Sequence, residues 1–228
     1  MTAAAAAARP PRADAVRNRR LLLAAAADEF AKHGLDASVA DIARRAGVGK
    51  GTVFRHFATK DDLVAAILTD RMDELHRRGE ELLAAADAAS ALHEFLTAAA
   101  GQRQERDLSF LAEAAGSMPE VAAARDRMTG TIDRIVDRAR EEGVLRADIT
   151  GTDVFLLMCA PNYIAGYVPD ASPDLWRRYL GVILDGLRPE GRARCPPRRR
   201  RSPERGRRRC SPLPHGFGRR GVRGLRGR

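Results

Sequence analysis

The residues whose types and spacing could do chemistry lie between Ser38 and Phe57, in the stretch SVADIARRAGVGKGTVFRHF. From Gly49 to Lys60 this part of the chain offers cations and hydrogen-bond donors but no carboxylate. Such donors bind phosphate oxygens and the acceptor-rich edges of bases. Gly51 adds a position at which backbone can approach another surface closely. The chemistry expected here is recognition of nucleic acid.

Two short helices must position these donors. Ser38 and Asp41 form a variant of the capping box that starts the first helix, and Gly47 ends it in a left-handed turn. The inward stripe of this helix consists of Val39, Ile42, Ala43 and Ala46. Val53 and Phe57, four residues apart, give the second helix its buried side. A glycine turn between two helices, with donors on the outer face of the second, predicts a DNA-binding helix-turn-helix.

Helices this short are marginal alone, so further helices must support them. Upstream, an apolar four-residue spacing ends at Lys32, His33 and Gly34, as expected of a helix C-terminus. Downstream, Asp61 and Asp62 lie in the first turn of another helix. The apolar residues of these two supporting helices are Leu22, Ala26 and Phe30, and then Leu63, Val64, Ile67 and Leu68.

From about Arg17 to Leu68 the chain resembles the TetR family of bacterial transcriptional repressors, through EFAKHG, DIARRAGVGKGTVFRHF and TKDDL in that order. The resemblance implies an all-α dimer with an N-terminal DNA-binding domain and a C-terminal helical domain that binds a small inducer. It places Lys50, Gly51 and Thr52 toward the major groove. It also implies that Ser38, Thr52, His56 and Lys60 lie near phosphates.

Phe54 departs from the family pattern, which often has a tyrosine at this position. The tyrosine hydroxyl would touch phosphate, whereas Phe54 can pack but cannot donate. Arg12, Arg17 and Arg19 could add a minor-groove or phosphate contact upstream. The predicted DNA-binding set is Ser38, Lys50, Gly51, Thr52, Phe54, Arg55, His56 and Lys60.

Charge divides the chain into regions. Residues 1–60 carry 11 Lys or Arg against 5 Asp or Glu, a net charge of +6, whereas residues 61–191 carry 14 against 24, a net charge of −10. This distribution concentrates phosphate neutralisation at the helix-turn-helix. We predict a flexible arm over 1–13, a DNA-binding domain over 14–60, an effector-binding and dimerisation domain over 61–190, and a tail over 191–228.

The fold class expected is all-α, with a three-helix DNA-binding domain and about nine helices in total. The fourth helix should run from Asp61 to about Ala86. Ser90 should cap the fifth helix, and Pro161 should interrupt the eighth. The remaining helices are predicted at 107–115, from Ser117 and Pro119 to Gly143, from Thr152 and Asp153, and from Ser172 to Gly186.

The eighth and ninth helices are candidates for a dimer interface. The eighth is apolar on most sides, through Phe155, Leu156, Leu157, Met158, Ile164 and Tyr167. The family resemblance implies that the last two helices of each subunit form a four-helix interface, and the alternative is a helix wholly buried in a monomer. A two-fold dimer separates its recognition helices by about 34 Å, which predicts a palindromic operator.

Effector-binding residues are predicted in a cavity between the fourth and eighth helices, although residues of these types are more often ordinary core than ligand contacts. The candidates are Phe95, Phe110, Met118, Met128, Asn162, Tyr163 and Trp176, with His93 as a further polar anchor. No charge in this set indicates a ligand class, so the small-molecule effector is unknown.

Other classes of protein lack support in the sequence. The three cysteines match no usual zinc spacing, and no nucleophile elbow, phosphate loop or catalytic pair stands out. We therefore expect no metal, no cofactor and no enzyme activity. No stretch reaches the roughly 18 to 20 apolar residues of a membrane span. Arg19-Arg20 before an apolar run resembles a twin-arginine signal, but a cytoplasmic protein with a first helix there is the preferred interpretation.

The tail over 191–228 combines arginine, proline and glycine without an apolar period, so we expect it to be disordered. It could bind DNA or RNA nonspecifically through phosphates. Alternatively, it is an uninvolved extension or the product of a shifted reading frame. The leading hypothesis is a ligand-responsive repressor, and the alternative is a nonspecific nucleic-acid-binding protein driven by this tail.

Overall fold

The computed structural model describes residues 11–105, 108, 110–158, 160, 172 and 174–190, and every regular element among them is helical. The α-helices are α1 (Pro11–His33), α2 (Val39–Arg45), α3 (Lys50–His56), α4 (Lys60–Leu83), α5 (Ala88–Glu105), α6 (Leu111–Ala115), α7 (Pro119–Glu141), α8 (Gly151–Leu157) and α9 (Leu175–Gly186). A 3-10 turn (Gly34–Asp36) follows α1. The all-α prediction is confirmed.

Local capping explains where the N-terminal helices begin and end. The Ser38 hydroxyl accepts a hydrogen bond from the Asp41 amide at 3.1 Å, which starts α2. Gly47 follows α2 with a φ of +68°, a left-handed conformation that glycine adopts without strain. Thr59 and Asp62 form a reciprocal capping box that starts α4.

Two helices of the body begin earlier than the sequence predicts. α5 starts at Ala88 rather than after Ser90, because the Asp87 carboxylate accepts from the Ser90 amide at 2.7 Å. α8 starts at Gly151 because Thr150, with Asp153, forms a capping box. In each case a different polar residue caps the helix.

Further boundaries differ or lie outside the described residues. α4 ends at Leu83 rather than near Ala86, and α6 begins at Leu111 rather than at 107. The expected interruption at Pro161 lies outside the described part of the chain.

Two apolar cores organise these helices. The N-terminal core joins α1, α2, α3 and the first half of α4 around Phe30, Ile42 and Val53, and α6 and the start of α7 also contribute to it. The second core joins the later part of α4 with α5, α7, α8 and α9 around Phe95 and Ile132. α4 is therefore a continuous rod that passes through both cores.

Among the described residues, the most extensive contact between two helices is the seam between α4 and α7. A β-carbon added at Gly79 would overlap the methyl group of Thr131, which is 2% exposed. The Thr131 hydroxyl donates to Glu80 at 2.8 Å and lies 2.7 Å from Nδ1 of His76. Arg134 binds both oxygens of Glu80, at 2.7 and 2.8 Å. The absence of a side chain at Gly79 and the hydrogen bonds of Glu80 with Thr131 and Arg134 together set the separation of α4 and α7.

Arginines of α7 and of the following loop tie down the ends of neighbouring helices. Arg138 donates to the carbonyl of Leu83 at 3.0 Å and to that of Ala86 at 3.1 Å, at the C-terminus of α4. Arg146 donates to the Gly186 carbonyl, and its amide donates to the Leu187 carbonyl at 3.0 Å. These cations satisfy carbonyls that a helix C-terminus leaves without intrahelical partners.

Candidate nucleic-acid interface

α3 presents one buried side and one open side. Val53 is 2% exposed and Phe57 is 6% exposed, because both pack into the N-terminal core. The exposed residues of α3 are Lys50, Gly51, Phe54, Arg55 and His56, and Thr52 is half-buried. Donors, a glycine and one phenyl ring therefore form the accessible surface of this helix.

The turn before α3 sets its angle to α2. The Val48 amide donates to the Ala43 carbonyl at 3.0 Å, which closes the end of α2 around Gly47. Gly49 then takes an extended conformation as the N-cap of α3. Backbone hydrogen bonds and two glycines form the turn between α2 and α3, and the apolar residues of both helices pack in the same core.

An ion cluster around one buried carboxylate holds α2 against α1. Arg45 donates to Glu29, a carboxylate on α1 that is only 6% exposed, and lies 3.6 Å from Asp28. His33 approaches the other oxygen of Glu29 at 3.1 Å. The hydrogen bond from Arg45 lowers the pKa of Glu29 below its ordinary value, against the opposing effect of desolvation. Sequence patterns missed this cluster because its partners are 16 residues apart.

Ser38 and Thr52 are already engaged within the domain. The Ser38 hydroxyl donates to Asp41 Oδ2 at 2.6 Å while it caps α2. This hydrogen bond lowers the pKa of Asp41. Thr52 accepts from Arg55 Nη2 at 3.1 Å, so the two side chains hold each other on the open side of α3. The proposed phosphate contacts of Ser38 and Thr52 remain predictions.

Two cations lie over aromatic rings beside α3. The Lys60 ammonium lies 5.7 Å from the centre of the Phe30 ring and donates to the Leu35 carbonyl. The Arg19 guanidinium lies 5.6 Å from the centre of the Phe57 ring, at the C-terminal cap of α3. Cation–π contacts of this kind restrain long side chains. They place positive charge next to the C-terminal end of α3.

The predicted effector-binding residues that the structure describes lie in two different parts of the molecule. Phe95, Met128 and Trp176 lie together in the second core. Phe110 and Met118 instead pack against the N-terminal core, beside α6. Asn162 and Tyr163 lie outside the described residues, so the cavity predicted around them stays a prediction.

A groove of about 360 Å³ opens at the other end of the body, between the start of α5, the loop after α7 and the end of α9. Its apolar lining includes Leu92, Val144 and Leu187, and its polar residues include Arg188. His93, predicted as a polar anchor, lies on this groove.

The described residues show neither a metal-binding cluster nor a membrane-spanning helix. Among them, no three or more His, Cys, Asp or Glu side chains are grouped so that they could hold a metal ion. No helix in that part of the chain is long and apolar enough to cross a membrane.

Two protein-family models match the chain. The model described as bacterial regulatory proteins of the tetR family matches residues 22–67, which include α2 and α3. The model described as the C-terminal domain of SbtR-like transcriptional regulators matches residues 87–189. Together these matches extend over the helix-turn-helix and most of the body.

Individual proteins are similar over most of their length. A crystal structure of the TetR transcription regulatory protein from Mycobacterium vanbaalenii is 33% identical, with 78% of this chain and 99% of that chain covered and a TM-score of 0.59. The HTH-type transcriptional repressor KstR2 of Rhodococcus jostii is 27% identical over 185 residues, which cover 74% of this chain and 90% of the repressor. The A-factor receptor protein of Streptomyces griseus is 28% identical over 202 residues, which cover 79% and 70% of the two chains.

Proposed function

The chain belongs to the TetR family of bacterial transcriptional regulators, and from this premise we propose that it binds a palindromic operator as a homodimer and is released by a small molecule. The relatives are DNA-binding regulators rather than enzymes, in agreement with the sequence-based expectation. Binding to chromosomal DNA makes the cytoplasm the proposed location.

The observation that carries the proposal is the asymmetry of α3. Its apolar residues Val53 and Phe57 are buried, while Lys50, Arg55 and His56 are exposed on a helix without a carboxylate. A recognition helix needs this arrangement, because the buried side fixes its angle and the open side must offer donors to acceptor-rich DNA. Residues 1–60, which include α3, carry a net charge of +6, whereas residues 61–191 carry −10.

Apolar residues on α8 and α9 support a homodimer. Leu156 on α8 is 56% exposed and Val182 on α9 is 62% exposed. Exposed large apolar side chains on α8 and α9 are the kind that a partner subunit would cover. A two-fold axis through this surface would present two α3 helices about 34 Å apart, at successive major grooves.

We infer that an effector acts through the two cores. Leu111 and Ala115 of α6 lie in the N-terminal core, and α4 spans both cores. A small molecule that binds the body more tightly in one arrangement of these helices shifts the population away from operator spacing, by as much as its differential affinity allows. Phe95, Met128 and Trp176 remain the proposed apolar contacts, with no ligand class assigned.

Selection of binding sites from random DNA with the full-length protein tests the proposal. We expect a consensus with two inverted half-sites whose centres lie about 10 base pairs apart. Sedimentation of the complex should give two chains per duplex. A consensus without inverted symmetry, or one chain per duplex, would contradict the dimer.

The same experiment separates the alternative function. A nonspecific binder driven by the tail would return no consensus and would show a steep salt dependence on any duplex. Cutting the chain after Glu190 removes the arginine-rich tail. Equal operator affinity and equal salt slope for the shortened chain would exclude the tail from the mechanism.

A further inference from the structure

Phe54 is an apolar side chain on a surface otherwise made of donors. Its residue surface is 51% exposed, although α3 buries Val53 and Phe57 almost completely. Covering a large exposed ring with an apolar surface lowers the free energy. Under the proposed function α3 is the recognition helix, so the surface that would cover Phe54 in the complex is DNA.

The neighbours of Phe54 indicate which part of the duplex meets it. Gly51 precedes it by three residues and Lys50 by four, so the three lie on the same side of α3. Gly51 is exposed, and a β-carbon added there would meet no atom within 4 Å. The ring therefore stands beside bare, open backbone. A duplex that approaches the backbone at Gly51 would therefore come close to the ring.

The chemistry of the major groove narrows the choice of partner. Its base edges present hydrogen-bond donors and acceptors, with one apolar group, the 5-methyl of thymine. The phenyl ring can neither donate to phosphate nor accept from a base. We propose, on the basis of the proposed function, that Phe54 contacts a thymine methyl in each half-site and thereby specifies thymine at that position.

This contact has a consequence for modified DNA. In 5-methylcytosine the methyl group occupies the equivalent position in the major groove. Replacing the contacted thymine by 5-methylcytosine keeps the apolar contact, whereas cytosine removes it. The protein should therefore prefer 5-methylcytosine over cytosine at this position.

The test uses the full-length protein and the duplex recovered by selection from random DNA. Each thymine is replaced in turn, in both half-sites, by deoxyuridine, which deletes the methyl and keeps the base pair. At one thymine per half-site we expect affinity to fall by about fourfold for each half-site changed. Phe54→Ser should abolish this sensitivity, and Phe54→Tyr, which keeps the ring, should retain it.

Leu35→Ser provides the matched control, because it removes another exposed apolar side chain of the same domain, in the 3-10 turn and outside the predicted DNA-binding set. It should leave the deoxyuridine effect unchanged. Position 54 is exposed, so the variants should keep the melting temperature of the unmodified protein. That measurement separates a lost contact from a lost fold.

Three results would overturn the inference. One is a selected half-site without thymine, and another is a deoxyuridine effect below twofold at every thymine. The third is an unchanged effect in Phe54→Ser, which would assign the methyl contact to another residue. Failure of the proposed function is distinct, because selection would then recover no duplex with a consensus.

Discussion

Lys50 and Lys60 are both cations of the DNA-binding domain, but they have different surroundings. Lys50 is exposed on the first turn of α3, whereas Lys60 is held by the Leu35 carbonyl and the Phe30 ring. A restrained ammonium at the edge of the surface suits phosphate, which every sequence has, and a free one on α3 can reach base edges.

Substitution should separate these two roles. Lys60→Ala should weaken binding to all duplexes similarly and lower the salt slope by about one, whereas Lys50→Ala should also change base preference. Fluorescence anisotropy on selected and scrambled duplexes, over a range of salt, measures both effects. Arg140→Ala on α7 is the control and should change neither. A changed base preference in Lys60→Ala would show that the assignment is reversed.

Glu29 makes the stability of the DNA-binding domain depend on pH. Its pKa is lowered mainly by the hydrogen bond from Arg45, so its contribution is complete above the ordinary value of 4.5 and is lost as the pH falls through the lower folded-state value. Glu29→Gln should lower the denaturation midpoint at pH 7, and the difference from the unmodified chain should shrink below about pH 4.5.

Chemical denaturation followed by circular dichroism at several pH values measures this effect. Asp36→Asn, which changes an exposed carboxylate of the same domain, should have little influence at any pH. A difference between Glu29→Gln and the unmodified chain that persists unchanged at pH 3 would mean that the carboxylate charge is not the cause.

At the scale of elements, the seam between α4 and α7 depends on the absence of a side chain at Gly79. The methyl of Thr131 fills that space, and the Thr131 hydroxyl is held by Glu80 and His76. Thr131 is β-branched and its hydroxyl is held by hydrogen bonds, so its methyl cannot rotate out of the way. Gly79→Ala should therefore cost about 1 to 3 kcal/mol of unfolding free energy. Urea denaturation gives this value.

Two further variants decide the cause. Gly130→Ala, on an open part of α7, should stabilise the protein by up to about 1 kcal/mol, because alanine favours the helix. Thr131→Ser removes the obstructing methyl and keeps the hydroxyl, so the double variant with Gly79→Ala should recover most of the lost stability. If Gly79→Ala lowers the stability of Thr131→Ser by as much as it lowers that of the unmodified chain, a steric origin is excluded.

The proposed dimer belongs to the scale of the whole molecule. Val182 lies on α9 and is 62% exposed, so a charge there leaves the fold of one chain intact. In a two-fold interface Val182→Glu buries two carboxylates, and we expect it to weaken self-association by roughly 100-fold or more. Operator affinity should fall with it, since one helix-turn-helix then binds alone.

Analytical ultracentrifugation over a range of protein concentrations measures the association. Ala123→Glu, at an exposed position of α7, is the control and should leave the dimer unchanged. If Val182→Glu associates as the unmodified chain does, the interface lies elsewhere on the body.

The sequence by itself determined the local elements of the DNA-binding domain. The cap at Ser38, the turn at Gly47 and the buried pair Val53 and Phe57 all occur as predicted, because each depends on residues within a few positions of one another. The same short-range logic misplaced the start of α5, since Asp87 and Ser90 both could cap it and only the backbone geometry distinguishes them.

Tertiary structure alone decided which core each apolar residue joins. From the sequence, Phe110 and Met118 are apolar residues of the body, as Phe95 is. In the structure they pack against the N-terminal core, whereas Phe95 lies in the second core, and the spacing of the residues does not indicate this difference. The sequence likewise does not indicate the ion pair between Arg45 and Glu29. The hydrophobic effect is non-directional, so an apolar side chain specifies that it is buried, while helix packing over long separations determines where.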